Sequence, residues 1–393
     1  MQNNPVIVDI VRSPMGRGKA GGAFSELHPV DLLSQTMAAL IERNKFDAGM
    51  VDDVVIGCVS QAGEQAVPPG RTAWLAAGLP QHVPSTTVER RCGSSQQSIH
   101  FAAQGIAAGA YDIVVAGGIE SMSRVPMGSA RMGAEPHGKA FNSRFPQGLV
   151  GQGISAELIA ARWGIGRQQM DEYSARSHGL ADKTRKAGGF DNEIVPIHAP
   201  GGIVSQDETI RPSTTAATLL QLKTSFDNEE IAARFPEIRW SITAGNSSQI
   251  TDGAAVALVM CEAAANRLGL RPRARFVAFD VIADDPLLML TAPIPASRRV
   301  LDKAGMTIDQ IDQFEVNEAF APVPLAWLRD LKADPERLNP RGGAIALGHP
   351  LGASGARLMS SLLNGLEQSG GHYGLQTMCE AGGQANATII QRL

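Results

Sequence analysis

The chain has 393 residues, 44% hydrophobic and 19% charged, enough to bury two or three domain-sized cores. A formal net charge of −4 excludes the strongly basic balance of a nucleic-acid binder, so no nucleic-acid partner is expected. The four cysteines, Cys58, Cys92, Cys261 and Cys379, are too few to form a disulfide scaffold in a chain this long and suit a reducing compartment.

From the beginning of the chain, Val6-Ile7-Val8-Asp9-Ile10-Val11 reads as a strand. It is not preceded by the basic start and apolar run of a leader. No apolar run approaches the roughly 18 residues of a membrane-crossing helix. Gln391-Arg392-Leu393 is not the usual peroxisomal tripeptide, and a cytoplasmic location with no membrane partner is expected. Val54 to Val59 and Ile113 to Ala116 read as buried strands. Between them lies Cys92, followed by a small-residue stretch in which Ile99, Ala102, Ala103 and Ile106 recur at helical spacing and Gly109 marks the stop. The part from about Met122 to Asn246 differs: it has Gly/Pro/Arg-rich stretches, a helix-like run around Ile154 to Ser177 and a polar insertion near Asp227 to Arg239. It reads as an inserted loop domain carrying ligand contacts.

The C-terminal part repeats the first plan. Phe314 to Asn317 reads as a strand, a small-residue helix follows His349, and Gly374 to Cys379 reads as a late strand. Cys92 and His349 are 257 residues apart, and Cys58 and Asn317 are 259 apart. A nearly common offset predicts a duplicated unit whose strand ends and helix starts converge on one cleft. The expected divisions are an N-terminal half of residues 1–121 and 250–271, a loop domain of 122–249 and a C-terminal half of 272–393.

Cys92 sits in Glu89-Arg90-Arg91-Cys92-Gly93-Ser94-Ser95, at the predicted mouth of a helix, where the dipole and two arginines favour a thiolate. His349 is kept off helical geometry by Pro350 and flanked by glycines, so it lies on a turn where an imidazole can take a proton from a thiol. Cys379 ends a strand at a Gly-rich corner, as a second acid/base or a redox partner of Cys92, although a Cys-x-x-Cys motif is absent. Asn317, in Asn317-Glu318-Ala319-Phe320-Ala321, offers an amide that can hold a water or an oxyanion. No His/Cys/Asp cluster has metal-ligand spacing.

These four motifs, in this order, resemble the thiolase family, and the resemblance spans the chain. Val11 to Gly16, Ala116 to Ser123, Thr243 to Ser248 and Asp252-Gly253-Ala254 are similar to further family stretches. Cys-Gly-Ser-Ser-Gln-Gln and Gln-Thr-Met-Cys-Glu are most similar to actinobacterial thiolases of lipid and steroid breakdown. The resemblance implies an α/β fold of duplicated halves in a five-layer α/β/α/β/α arrangement, and a homodimer or homotetramer. It implies cleavage of a 3-ketoacyl-CoA by CoA, with coenzyme A as substrate and no other cofactor. Cys92 becomes acylated, His349 takes its proton and Cys379 protonates the acetyl-CoA enolate. His349 with a water on Asn317 makes one oxyanion hole, and the backbone N–H groups of Cys92 and Ala381 make the other. Ser248, Lys223, Phe320 and Met289 are the implied CoA and substrate contacts.

The sequence departs from the family pattern in places. Ala381 stands where glycine is usual, which requires a backbone conformation that alanine accepts. Gly151 and Gln152 replace a His-Met pair of many biosynthetic thiolases, which favours a roomier acyl pocket. Lys223 replaces an arginine near the adenine and stacks less well. The alternatives are a biosynthetic acetoacetyl-CoA thiolase, a decarboxylating ketoacyl synthase, against which Cys379 counts, and a non-catalytic lipid-binding relative, against which the intact Asn-Glu-Ala-Phe motif counts.

Overall fold

The computed structural model describes residues 3–393. Alternating apolar and polar segments build two half-sheets on one plan. In the N-terminal half, Asp53–Gly57 lies parallel to both Ser85–Val88 and Ile113–Ser121. Thr251–Cys261 then runs antiparallel to Ile113–Ser121 and to Pro5–Arg12. In the C-terminal half, Gln313–Val316 is parallel to Tyr373–Glu380, and Gln384–Arg392 is antiparallel to Tyr373–Glu380 and to Ala274–Ala283. The repeated succession of parallel outer and antiparallel inner pairs is the duplication read from the residue offsets. Val6 pairs with Arg275 and Ile7 with Ala274, so the half-sheets join edge to edge into one sheet.

Two helices fill the layer between the half-sheets, Ser94–Ala107 and Ser354–Ser369. Every residue from Ser354 to Leu366 is buried, as expected of a helix covered on all sides. The small residues let the two backbones touch: a Cβ on Gly355 would fall 2.3 Å from Gln96 N, and Ala356 N–H donates to Ser95 Oγ at 2.9 Å. Outer helices such as Pro29–Asn44 and Pro293–Ala304 bury only one stripe, Leu33, Met37 and Leu40 in the first and Val300 and Leu301 in the second.

Residues between Ser121 and Thr251 leave the sheet. The single helix-like run around Ile154 to Ser177 is two helices, Gln152–Trp163 and Arg167–Lys186, because Gly164 takes a left-handed φ of 60° and ends the first. Ala156, Ile159, Met170 and Tyr173 from these helices join the apolar core of the C-terminal half. A buried ion cluster ties the segments together: Arg12 meets Glu193 at 2.8 Å and Asp207 at 2.7 Å, and Arg341 meets Glu193 at 2.8 Å. Both guanidinium groups lie over the Phe190 ring, at 5.2 and 4.9 Å.

Candidate active site

The turn carrying Cys92 joins Ser85–Val88 to the central helix Ser94–Ala107. Arg91 has a φ of 48° there. Ser94 closes the turn, its Oγ donating to Arg91 O at 2.6 Å and accepting from Arg90 N–H at 2.9 Å. Cys92 is buried in one apolar cluster with Val59, Met122, Leu351 and Met378. Leu351 follows His349 by two residues and Met378 immediately precedes Cys379, so the segments bearing all three groups meet at this thiol.

The helix mouth does not make Cys92 acidic. Burial pushes its thiol well above the ordinary value, and Cys379, Glu380 and Glu120 add to the rise; the backbone N–H at the sulfur pulls the other way and loses. The arginines point elsewhere, Arg90 to Gln384 Oε1 at 3.1 Å and the exposed Arg91 to Glu89 at 3.6 Å. Burial, then Glu380, pushes the Cys379 thiol up to about 12. Both cysteines are therefore thiols near neutral pH, and a thiolate at Cys92 forms only if a neighbouring group accepts the proton.

His349 offers a neutral ring that can accept a proton. Burial lowers its imidazole to about 3, with Arg357 acting in the same direction, so the ring is neutral. The Ser354 hydroxyl donates its one hydrogen to Pro350 O at 2.8 Å and lies 2.5 Å from His349 Nδ1. That contact requires the proton on Nδ1 and leaves Nε2 with a bare lone pair. Asn317 Nδ2 approaches Nε2 at 3.3 Å. Asn317 Oδ1 is buried with no hydrogen-bond partner among the described residues, an acceptor suited to a water. The segment that returns from the loop region to the sheet holds the histidine backbone, whose N–H donates to Thr251 Oγ1 at 3.0 Å and Gln249 O at 3.2 Å.

Buried carboxylates brace these loops. Glu120 accepts from the N–H groups of Val59 (2.9 Å), Ser60 (2.9 Å) and Gly352 (2.8 Å) and from Gln65 Nε2 (3.1 Å), which fixes the His349 loop against the N-terminal half. Glu318 accepts from Tyr173 OH and Ser177 Oγ, both at 2.8 Å, and from Ile345 N–H at 3.0 Å, tying the loop region to the approach to His349.

Cys92, Met289 and Ala381 line a cavity of about 560 Å³ together with Gly151 and Gln152. Ala381 has an ordinary backbone; the left-handed conformations fall on Gly382 and Gly383, with φ of 91° and 79°. Alanine therefore fits at 381 without strain. Ser248, Lys223 and Phe320 do not line this cavity, and neither do His349, Cys379 and Asn317, which lie behind its wall at Cys92 and Leu351. Ser248 and Phe320 neighbour each other, since Ser248 N–H donates to Ala319 O at 2.9 Å and Ser247 bridges Phe320. Lys223 is exposed and makes no ion pair among the described residues.

The family model for the thiolase N-terminal domain matches residues 5–263, and that for the thiolase C-terminal domain matches residues 270–392. The chain belongs to the thiolase family. A steroid 3-ketoacyl-CoA thiolase of Mycobacterium tuberculosis is 46% identical over 396 residues, covering 98% of this chain and 94% of the relative. A 3-ketoacyl-CoA thiolase of an Enterobacter species is 42% identical over 398 residues, covering 99% of each. Among solved structures, the acetyl-CoA acetyltransferase of Bacillus anthracis superposes with a TM-score of 0.88 at 36% identity, covering 100% of this chain and 99% of that one.

For this thiolase, sequence reasoning missed the groups that support the site: Ser354, Thr251, Glu120 and Glu318. A signal existed for Glu120, an acid inside the otherwise uncharged strand Ile113–Ser121, where only buried donors stabilise a carboxylate. Among the described residues no cluster of His, Cys, Asp or Glu stands ready to hold a metal. No helix is long and apolar enough to cross a membrane.

Proposed function

We propose that this thiolase cleaves 3-ketoacyl-CoA esters with CoA, giving acetyl-CoA and an acyl-CoA shortened by two carbons. The observation that carries the reading is a buried thiol on a cavity wall, packed by the neighbours of a neutral histidine and a second buried thiol. His349 Nε2 takes the Cys92 proton as the sulfur attacks the 3-keto carbon. The bond between C2 and C3 breaks, its electron pair becomes the acetyl-CoA enolate, and Cys379 gives the enolate carbon a proton. A CoA thiol then returns a proton to Cys379 and attacks the acyl group, and Cys92 leaves with the proton from His349. A water on Asn317 with His349, and the backbone N–H groups of Cys92 and Ala381, stabilise the successive oxyanions, each donor contributing on the order of 3 kcal/mol.

The size of the cavity favours acyl groups larger than acetoacetyl. Because Ser248, Lys223 and Phe320 lie outside it, it serves as the acyl side, and those three residues are assigned to the CoA side. The division into two halves and a loop domain that bears the ligand contacts, assembly as a dimer or tetramer, and a cytoplasmic location complete the reading. Incubation with CoA and 3-ketoacyl-CoA esters of graded size tests it. Acetyl-CoA release from the longer esters, an acyl adduct on Cys92 by mass spectrometry, and loss of both in Cys92→Ala are expected. Turnover confined to acetoacetyl-CoA would overturn the size assignment, and undiminished turnover in Cys92→Ala the mechanism.

A further inference from the structure

Glu380 ends the strand Tyr373–Glu380, next to Cys379, and is fully buried. It also reaches the Cys92 turn: a Cβ added to Gly93 would fall 1.8 Å from Glu380 Oε1. Among the described residues no side chain donates to either carboxyl oxygen, and the one donor acting on the carboxyl is the backbone N–H of Asn386, which favours the ionised form. The same point beside Gly93 is 3.1 Å from Asn386 Oδ1, which lacks a donor. Two buried acceptor oxygens facing one spot repel unless one of them carries a hydrogen.

Only the carboxyl oxygen can carry it, because an amide oxygen has no hydrogen. Asn386 Nδ2 donates to Gln97 Oε1 at 3.1 Å and lies 3.2 Å from His100 Nδ1, so Oδ1 is the face left toward Glu380. His100 is neutral, lowered to about 3 by burial, and its Nε2 lies 2.7 Å from Thr388 Oγ1. A proton on Glu380 therefore starts a one-way chain from the carboxyl to Asn386, from Asn386 to His100 and from His100 to Thr388. Burial raises the Glu380 carboxyl to about 8, outweighing Arg90 and the Asn386 backbone N–H, which oppose it, with Glu89 adding to the rise. An ionised Glu380 would also act on both thiols, since it is among the groups that raise Cys92 and Cys379.

We propose that Glu380 is a positioning residue that keeps its proton during turnover, donates it to Asn386 Oδ1, and so withholds a negative charge from Cys92 and Cys379 as each passes through its thiolate. The proposal rests on the thiolase chemistry set out above. Ionisation places a carboxylate among Glu89 and the two cysteines, with Arg90 as the facing cation, and turnover falls on the alkaline side.

The test is the pH profile of kcat from pH 7 to 10 for the wild type, Glu380→Gln and Asn386→Ala. In Glu380→Gln the alkaline limb moves up by about one pH unit or more, a tenfold gain at the pH of the wild-type decline. In Asn386→Ala it moves down, because the carboxyl proton loses its acceptor. Opposite displacements are beyond a merely structural role. Iodoacetamide labelling of Cys92, followed by mass spectrometry, reads the same effect without turnover, with about tenfold faster labelling of Glu380→Gln at pH 9. Absence of thiolysis in the wild type would count against the functional reading alone, and the labelling would still test Glu380. Coincident wild-type and Glu380→Gln profiles in both measurements overturn the proposal. If Glu380→Gln does not fold, an Asn386→Ala limb that fails to move down overturns it instead.

Discussion

Ser354 decides which nitrogen of His349 carries the proton, and the free lone pair on Nε2 follows from that choice. Replacing Ser354 with alanine removes both the anchor at Nδ1 and the preference for that tautomer. Turnover of Ser354→Ala should fall by roughly tenfold to a hundredfold, the usual cost of a misplaced catalytic group. KM should change little, because Ser354 lies behind the ring rather than on the cavity. Steady-state kinetics on one 3-ketoacyl-CoA ester checks the split. Cys92 shows a limit of reading such residues from sequence. A helix mouth and two arginines favour a thiolate, but burial beside Cys379 and Glu380 reverses the sign.

Among the elements, Gly57 controls how closely the Cys92 helix and the His349 loop approach. A Cβ there would fall 2.5 Å from Ser95 N and 2.9 Å from Gly352 O, so the residue is pinned between the Cys92 helix and the His349 loop. Gly57→Ala should force these backbones apart, cost about 1–3 kcal/mol in urea unfolding as overpacking does, and lower kcat because the separation falls between Cys92 and His349, the groups proposed to exchange a proton. The strands and central helices were legible in the sequence because period and small-residue content encode them locally. The offset between Cys92 and His349 reported the duplication because each residue stands shortly before the central helix of its half. Less legible were the contacts that close the site, because Glu120 with Gly352, Thr251 with His349, and Glu318 with Tyr173 are side-chain bonds between distant segments. The split at Gly164 was missed because apolar residues continue at helical spacing on both sides of it. Ser248 and Phe320 lie near each other, apart from the cavity that Met289 lines.

For the whole molecule, buried titrating groups set the pH range of stability. His100 and His349 both fall to about 3 in the fold, below the unfolded value near 6.5, so their contribution is complete above that value and is lost as pH falls toward 3. Burial raises Glu315 and Glu380 to about 8 from an unfolded value near 4.5, so their contribution is complete below 4.5 and is lost as pH rises toward 8. Between 4.5 and 6.5 the two trends oppose each other. Urea midpoints measured from pH 3.5 to 8.5 should therefore rise, level off and fall, and Glu380→Gln should flatten the alkaline fall. The pairing of Val6 with Arg275 and Ile7 with Ala274 has a further consequence. Each half covers for the other a strand margin whose amides and carbonyls would otherwise be open to any passing chain. The duplication thus built mutual protection against aggregation into the joined molecule, and neither half inherits that protection when made alone.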